Sequence, residues 1–311
     1  MGEAAAVEVR RCQRNADREV SVPPDLDDLL TALYVYVDDS LPPRRGPGRR
    51  PQTTDAEIIC LAVAQVLLDC PCDRRFLAVA GWRLAHLFPR RPNQPGYHKR
   101  VRRLLPRIIE ALERVALDAP SSQDQLRLLD STPIPCAQSR ETVRRSALAG
   151  YAGYGYCASH SRYFWGFRLY ILCTPDGMPF AFELAAANQP ERLAAAELLE
   201  RASRPGQTII ADKGFAGAEF EQLSLELGCR LLRPDRRDEP QRNGNLGGIR
   251  QWIEAIIWSC KDKLSLERHG ARTLTGLGAR IAQRLLALAA CVWHNHRVGH
   301  YPTRSLICYD H

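Results

Sequence analysis

Hydrophobic and polar positions follow a helical spacing in the first third of the chain. Apolar residues recur every three or four positions there, which is typical of amphipathic helices. Thr54 followed by Glu57 is a capping box and predicts where one helix begins, and Pro106 predicts a kink or break in another. The predicted helices cover residues 25–38, 54–68, 74–86 and 97–116.

From Leu126 onward the pattern changes to short apolar runs bounded by turn signals, which are typical of buried strands. Segments 164–174 and 178–186 flank Asp176 and Gly177, a pair that predicts a hairpin turn. Strand, hairpin, helix, strand, helix, strand, helix is the order of an RNase H-like α/β fold, a mixed sheet with flanking helices. We therefore expect two domains. A helical basic region would span residues 1–119, with a linker rich in Pro and Arg near 41–51, and the sheet domain would span residues 120–311.

One helix predicted near the end of the sheet domain carries an acid between two cations. Glu254 lies four residues after Arg250 and seven before Lys261, so the three side chains share one helix face. Apolar residues on the adjoining faces would anchor the helix in a core. An ordinary ion-paired surface helix explains the Arg–Glu spacing equally well. The functional interpretation depends on two acids upstream.

Asp130 and Asp212 each close an apolar run that is predicted to be a strand. Functional groups of α/β sheets gather at such strand ends. Together with Glu254 they form an Asp, Asp, Glu set with spacings of 82 and 42 residues. Three converging acids repel one another unless cations lie between them, so the set predicts hard divalent ions such as Mg²⁺ or Mn²⁺. Two such ions support in-line displacement at a phosphodiester.

These three acidic segments resemble the motifs of bacterial insertion-sequence DDE transposases, and those of the insertion-sequence 982 group in particular. The resemblance covers most of the chain from about Thr54 onward and departs from the pattern at Tyr170 and Gly247. The segments that carry it are Leu129–Pro135, Ala211–Phe215, Arg250–Lys261, Tyr163–Tyr170, Asp176–Gly177 and Ala271–Arg280.

The resemblance implies an RNase H-like catalytic domain behind a small helical domain, for which a helix-turn-helix is one arrangement. It also implies a DNA transposase that binds the terminal inverted repeats of an insertion sequence and catalyses metal-dependent strand cleavage and strand transfer. Asp130, Asp212 and Glu254 would hold two Mg²⁺ or Mn²⁺ ions, and Arg250 and Lys261 would assist catalysis. The alternatives are a nuclease of the same fold that does not join strands, and a catalytically inactive DNA-binding protein.

Positive charge is concentrated in the helical region. Residues 41–107 hold fourteen Lys or Arg against four Asp or Glu, whereas the whole chain has a net charge of +8. Such a concentration favours contact with DNA phosphates, although most charge runs are simply solvated faces. We expect double-stranded DNA as partner, both terminal repeats and target, and a homodimer on that DNA. The candidate DNA contacts are Lys99, Arg100, Arg102, Arg103, Arg144 and Arg145.

Tyrosines and arginines are interleaved between the first two predicted strands. Tyr151, Tyr154 and Tyr156 lie among glycines, and Arg162 is followed by three aromatic residues. Such a mixture suits backbone contact plus base stacking. The aromatic side chains would equally suit a protein core, and the sequence leaves both interpretations open.

Neither the start of the chain nor its apolar runs predict contact with a membrane. The first residues lack the pattern of a secretory signal, and no apolar run approaches about 18 residues. Eleven scattered cysteines predict reduced thiols in a core. We therefore expect a cytoplasmic protein associated with the nucleoid.

Overall fold

The computed structural model describes residues 25–41, 51–157, 161–235, 239–240 and 246–300, together with Leu306 and Tyr309. Most of the predicted linker near 41–51 lies outside the described residues. The backbone of Arg250 is described, but its side chain is not.

Among the described residues, the N-terminal region contains five helices: the four predicted segments, the last of which is divided into two helices just before Pro106. The capping box is confirmed, because the Thr54 hydroxyl accepts the Glu57 amide at 3.1 Å and the Glu57 carboxylate accepts the Thr54 amide. Pro106 lies in the first turn of a new helix, where its missing N–H is tolerated. The helices are α1 (Leu26–Ser40), α2 (Asp55–Leu67), α3 (Asp73–Arg83), α4 (Gln94–Arg103) and α5 (Leu105–Asp118).

A mixed sheet with flanking helices follows, which confirms the α/β prediction at this level. The strand order is β2-β3-β1-β5-β6. β4 also pairs with β3, on the same side as β2 but along a different part of β3. β1 pairs antiparallel with β3 and parallel with β5. The strands are β1 (Leu126–Ala137), β2 (Gly153–Cys157), β3 (Arg162–Cys173), β4 (Pro179–Ala186), β5 (Thr208–Ile210) and β6 (Arg230–Leu232).

The pairing of β1 changes along its length. Only its first three residues pair with β5, so beyond Leu128 no described strand lies on that side of β1. Pro133 and Pro135 occur in this half-open part. Proline has no N–H to donate, so it is tolerated in a strand only where one side is unpaired, as in this part of β1.

Five further helices flank the sheet, and one buried core joins both parts of the chain. The main core contains residues of all five N-terminal helices, one face of the sheet, α9 and α10. A second core lies on the opposite face, beneath α7 and α8. The helices are α6 (Arg140–Arg145), α7 (Glu191–Ala202), α8 (Ala218–Glu226), α9 (Gly247–Asp262) and α10 (Leu274–Arg297).

Helix α10 packs against α1, α2, α4 and α5, although it follows them by more than 150 residues. A boundary near residue 119 stays a prediction, and the shared core couples the two predicted domains. None of the described helices combines the length and apolar character that a membrane crossing requires.

A buried polar network links α10 to the N-terminal helices. Asp73, which is 7% exposed, pairs with Arg280 and accepts Gln65 Nε2 at 3.0 Å. His98 Nδ1 lies 3.0 Å from the same carboxylate. Burial tends to raise the pKa of Asp73, but Arg280 and these hydrogen bonds outweigh it, so the pKa is below its ordinary value. Asp73 is therefore a charged group within the core.

Candidate active site

Asp130 and Asp212 lie on neighbouring strands. The parallel register pairs Leu128 with Ile210. Extended two residues further, it brings Asp130 alongside Asp212, on strands that are about 4.8 Å apart. The backbone of Asp212 is still extended, and the preceding Ala211 amide still donates to Leu232 on β6 at 3.0 Å. Both acids are thus two residues beyond the last recorded β1–β5 pair, at the level where β5 ends and β1 continues.

The two aspartates share the same local geometry. Asp130 Oδ1 accepts the amide of Ser131 at 2.7 Å, and Asp212 Oδ1 accepts the amide of Lys213 at 2.6 Å. Both side chains are half-buried. Each carboxylate is thus fixed by the residue that follows it, and neither is sealed from solvent.

Helix α9 lies on the face of the sheet to which both aspartates belong. Residues of β1 and β5 alternate between the two cores: Leu128 and Ile210 enter the main core, and Leu129 enters the second. Asp130 and Asp212 are two residues beyond Leu128 and Ile210, so the same alternation puts them on the face of the main core. Because α9 packs against β1 from the side of the main core, all three predicted acids lie on one side of the sheet.

Glu254 lies on the exposed flank of α9. Ile253 and Ile257 face the core, whereas Glu254 and Trp258 face solvent. Within the part of the chain that the structure describes, no three His, Cys, Asp or Glu side chains lie close enough together to hold a metal ion. The structure thus puts Asp130 and Asp212 at one level of neighbouring strands and Glu254 on the solvent side of the helix that packs on this face, without a three-ligand cluster among the described residues.

Of the two cations predicted to flank Glu254, the structure describes one side chain. Lys261 is partly buried, and its Nζ lies 3.3 Å from Glu267 Oε1. Arg250 lies in the first turn of α9, and its side chain is outside the described residues. Lys261 is therefore held by a carboxylate just beyond the end of its own helix.

The donor chemistry of the aspartate pair fits a hard divalent cation. Two carboxylates on adjacent strands supply the oxygen ligands that Mg²⁺ and Mn²⁺ prefer. Cys260 on α9 is fully buried in the main core, and this burial raises the pKa of its thiol to about 12. The aspartate pair therefore suits a hard divalent cation that is bound through oxygen ligands.

Comparison with known families identifies the part of the chain that contains the sheet. The family model described as Transposase DDE domain matches residues 121–290, which is more than half of the chain and includes β1, β5 and α9. The chain belongs to the DDE transposase family. The matched segment contains Asp130, Asp212 and Glu254.

A solved structure is also similar to this transposase. It is described as the cryo-EM structure of the piggyBac transposase synaptic complex with hairpin DNA. The two chains are 8% identical with a TM-score of 0.42, and the match covers 96% of this chain and 77% of that one. No curated protein matches the sequence.

The predicted DNA contacts on α4 of the transposase differ in their surroundings. Lys99 is exposed, and Arg103 is 64% exposed with its Nη2 3.5 Å from Asp55 Oδ1. Arg100 is largely covered: it pairs with Asp55 and donates to the Thr53 carbonyl at 2.7 Å. Lys99 and Arg103 are thus presented to solvent, whereas Arg100 also holds the start of α2.

The other predicted pair, Arg144 and Arg145, lies on α6. Both side chains are 81% exposed, at 3.9 Å and 2.8 Å from the Glu141 carboxylate. Exposed pairs of this kind are weak, commonly below about 1 kcal/mol. These arginines therefore remain accessible to a phosphate.

A cleft between α4 and the start of α10 was not predicted from the sequence. It encloses about 260 Å³ and is lined by Arg102, Arg272 and Arg280, among others. The Nε of Arg102 is buried there without a hydrogen-bond partner among the described residues. Arg272 and Arg280 belong to the segment Ala271–Arg280, which the resemblance had singled out, but only the fold brings them next to α4. The cleft adds cations to the basic surface of the N-terminal region.

Proposed function

We propose that this transposase binds the terminal inverted repeats of its own insertion sequence and cleaves and joins DNA by two-metal phosphoryl transfer. The observation that carries the proposal is the parallel register of β1 and β5, because Asp130 and Asp212 each follow its last pair, Leu128 and Ile210, by two residues. Carboxylates at one level of neighbouring strands offer oxygen ligands to hard divalent cations. Membership of the DDE transposase family supports the reaction class.

In this proposal, Asp130, Asp212 and Glu254 hold two Mg²⁺ or Mn²⁺ ions. The bound ions supply Lewis acidity at the scissile phosphate. Asp130 lies on the strand that continues past the site and would contact both ions, whereas Asp212 and Glu254 would each contact one. Without cations between them the three carboxylates repel one another, so we expect Glu254 to join the aspartates only when metal and DNA are bound.

Arg250 and Lys261 would contact phosphate oxygens beside this site. Arginine can donate two parallel hydrogen bonds to a phosphate, whereas lysine offers a point charge. Lys261 would exchange its contact with Glu267 for one with DNA, and both cations would stabilise the charge that develops on the phosphoryl oxygens.

The same proposal includes the fold type, the subgroup, the oligomeric state, the location and the DNA contacts. The antiparallel strands β4, β3 and β1, continued by the parallel strands β5 and β6, support an RNase H-like fold. We propose membership of the insertion-sequence 982 group, a helix-turn-helix within α1–α5, a homodimer on DNA and action at the bacterial nucleoid. Lys99, Arg102, Arg103, Arg144 and Arg145 would contact DNA phosphates, and Arg100 would position α2 behind them.

The test is incubation of the protein with a linear duplex that carries the ends of the element, with and without Mg²⁺. We expect Mg²⁺-dependent nicking at the ends and joining to a target duplex. Asp130→Asn, Asp212→Asn and Glu254→Gln should each abolish cleavage while binding to the ends persists. Cleavage by Glu254→Gln at the wild-type rate would show that the third metal ligand is another residue.

A second candidate function is a catalytically inactive DNA-binding protein. It is favoured by the exposed position of Glu254 and by the absence of a three-ligand cluster among the described residues. Binding to the ends with no cleavage in either Mg²⁺ or Mn²⁺ would support it. Cleavage without joining would instead indicate a nuclease.

A further inference from the structure

Four tyrosines are exposed along one edge of the sheet. Tyr151 is 58% exposed, Tyr154 56%, Tyr156 46% and Tyr163 78%. The sequence left open whether these aromatic side chains fill a core or stack on bases, and their exposure excludes the core. Clustered apolar groups on a surface commonly mark a binding site.

The backbone holds these rings on one face of β2 and β3. On β2, Tyr154 and Tyr156 alternate with Gly153 and Gly155, and the glycines face inward. A Cβ on Gly155 would lie 2.7 Å from the carbonyl oxygen of Ala187, so the strand is seated too closely for any larger residue. The tyrosines are therefore turned outward by the tight packing of the opposite face.

The exposed rings lie next to one another across the two strands. Tyr156 pairs with Tyr163, and their ring centroids are 5.0 Å apart, whereas Tyr154 pairs with Trp165. A base fits between two rings only if the rings are apart by about twice the base-stacking distance of ~3.4 Å. The rings of Tyr156 and Tyr163 are too close for that, so a base can stack only on their outer faces.

This tyrosine surface, Tyr154, Tyr156 and Tyr163, shares a face of the sheet with Asp130. Tyr163, Trp165 and Ile171 are separated by even numbers of residues along β3, so their side chains lie on one face of the sheet. Ile171 pairs with Asp130, which therefore belongs to the same face. Trp165, the partner of Tyr154, is six positions before Ile171, the partner of Asp130. Tyr154 therefore lies about 20 Å from Asp130 along the strand direction. A DNA strand that leaves the aspartates along the continuing part of β1 reaches the tyrosines within a few nucleotides.

The charges around the tyrosine surface suit a nucleic acid. Residues 131–167 contain four arginines and a single acid, Glu141. Arg162 is exposed next to Tyr163, and Arg144 and Arg145 are exposed on α6, which packs against β1. An apolar protein partner has no need of this excess of cations, whereas a DNA strand needs both the cations and the aromatic faces.

We propose that the tyrosine surface binds unpaired bases of the DNA strand that passes the active site. Bases in a duplex have their faces covered by neighbouring base pairs, so exposed tyrosine rings can stack only on bases that are unpaired. Stacking of this kind accepts any base, which suits a surface that must hold flanking DNA of variable sequence. The inference rests on the proposed function, because it takes DNA as the ligand.

The test compares two DNA duplexes in the absence of divalent ions, so that binding is measured apart from cleavage. Both carry the ends of the element; one is blunt and the other has an eight-nucleotide single-stranded flank containing 2-aminopurine. We expect Tyr154→Ala, Tyr156→Ala and Tyr163→Ala each to weaken binding of the flanked duplex about tenfold and leave the blunt duplex unaffected. Fluorescence anisotropy reports affinity, and quenching of 2-aminopurine reports stacking.

Three further variants make the test specific. Tyr156→Phe keeps the ring and should retain both affinity and quenching, whereas Tyr156→Leu keeps only apolar area and should lose them. Leu225→Ala on α8 removes another exposed apolar side chain, 66% exposed and outside the proposed DNA-binding helices, and should change nothing. Unchanged circular dichroism shows that each variant is folded.

The inference is overturned by alanine variants that bind the flanked duplex as tightly as wild type, or by equal losses for blunt and flanked duplexes. Full retention of affinity and quenching by Tyr156→Leu would also overturn it. If the wild-type protein binds neither duplex, the proposed function itself fails. Binding of both duplexes without dependence on the tyrosines rejects this inference alone.

Discussion

Replacement of Asp73 by asparagine removes the one charge that balances Arg280 within the core. The two side chains are 7% and 14% exposed, so solvent screens their attraction little. Removing one partner of a buried pair costs about 3–5 kcal/mol, because the remaining charge stays buried without its counter-charge. At about 2.1 cal/mol/K per residue, a chain of 311 residues has an unfolding entropy near 0.65 kcal/mol/K. The variant should therefore melt about 5–8 °C below wild type.

Urea denaturation followed by circular dichroism measures the same loss as a free energy of unfolding. Glu141→Gln is the matched control: it removes an acid from an exposed pair with Arg145 at 2.8 Å and should cost less than about 1 kcal/mol. The double variant Asp73→Leu with Arg280→Met removes both charges and should recover most of the lost stability. A loss for Asp73→Asn no larger than that of Glu141→Gln would refute the argument that this network joins α10 to the N-terminal helices.

Three other expectations concern the pH dependence of the Asp73 pair, the stability of the sheet region alone and the two cations of α9. Because the folded-state pKa of Asp73 is lowered, its contribution to stability is present above its unfolded pKa of about 3.9 and is lost as the pH falls through the folded pKa. The difference in melting temperature between wild type and Asp73→Asn should thus shrink as the pH is lowered from 6 to 3. The fragment 120–311 should show no cooperative thermal transition, since it exposes the apolar surface of α10; a sharp transition would establish a separate domain. Arg250→Lys should slow single-turnover cleavage about a hundredfold, whereas Lys261→Arg should stay near wild type, and equal rates would deny Arg250 a two-oxygen contact.

Local signals predicted the elements well because they depend on neighbouring residues. Thr54 and Glu57 cap α2 through each other, and Pro106 separates α4 from α5 through its own missing N–H. The prediction that each aspartate closes a strand is right for Asp212, which follows β5 closely, and wrong for Asp130, because β1 continues to Ala137. The apolar run before Asp130 could not show this, since Ser131–Pro135 carries turn signals although it pairs with β3.

Contacts between distant parts of the chain lay beyond the sequence. Gln65 and Arg280 are 215 residues apart and form a 3.0 Å hydrogen bond, but no pattern around either residue predicts its partner. The same holds for the placement of Glu254. Helical spacing predicted which residues share its face, and only the packing of α9 on β1 determines that Glu254 is exposed while Lys261 is partly buried.

The half-open part of β1 has a consequence for how copies of this protein meet. A strand with one unpaired side offers backbone N–H and C=O groups to any extended segment of another chain, which is how edge-to-edge aggregation begins. Pro133 and Pro135 cannot donate to such a segment, and their rings obstruct its approach. The Pro135 carbonyl oxygen is already engaged, because His269 Nε2 lies 3.1 Å from it, so this stretch of β1 offers a second polypeptide strand few groups to pair with.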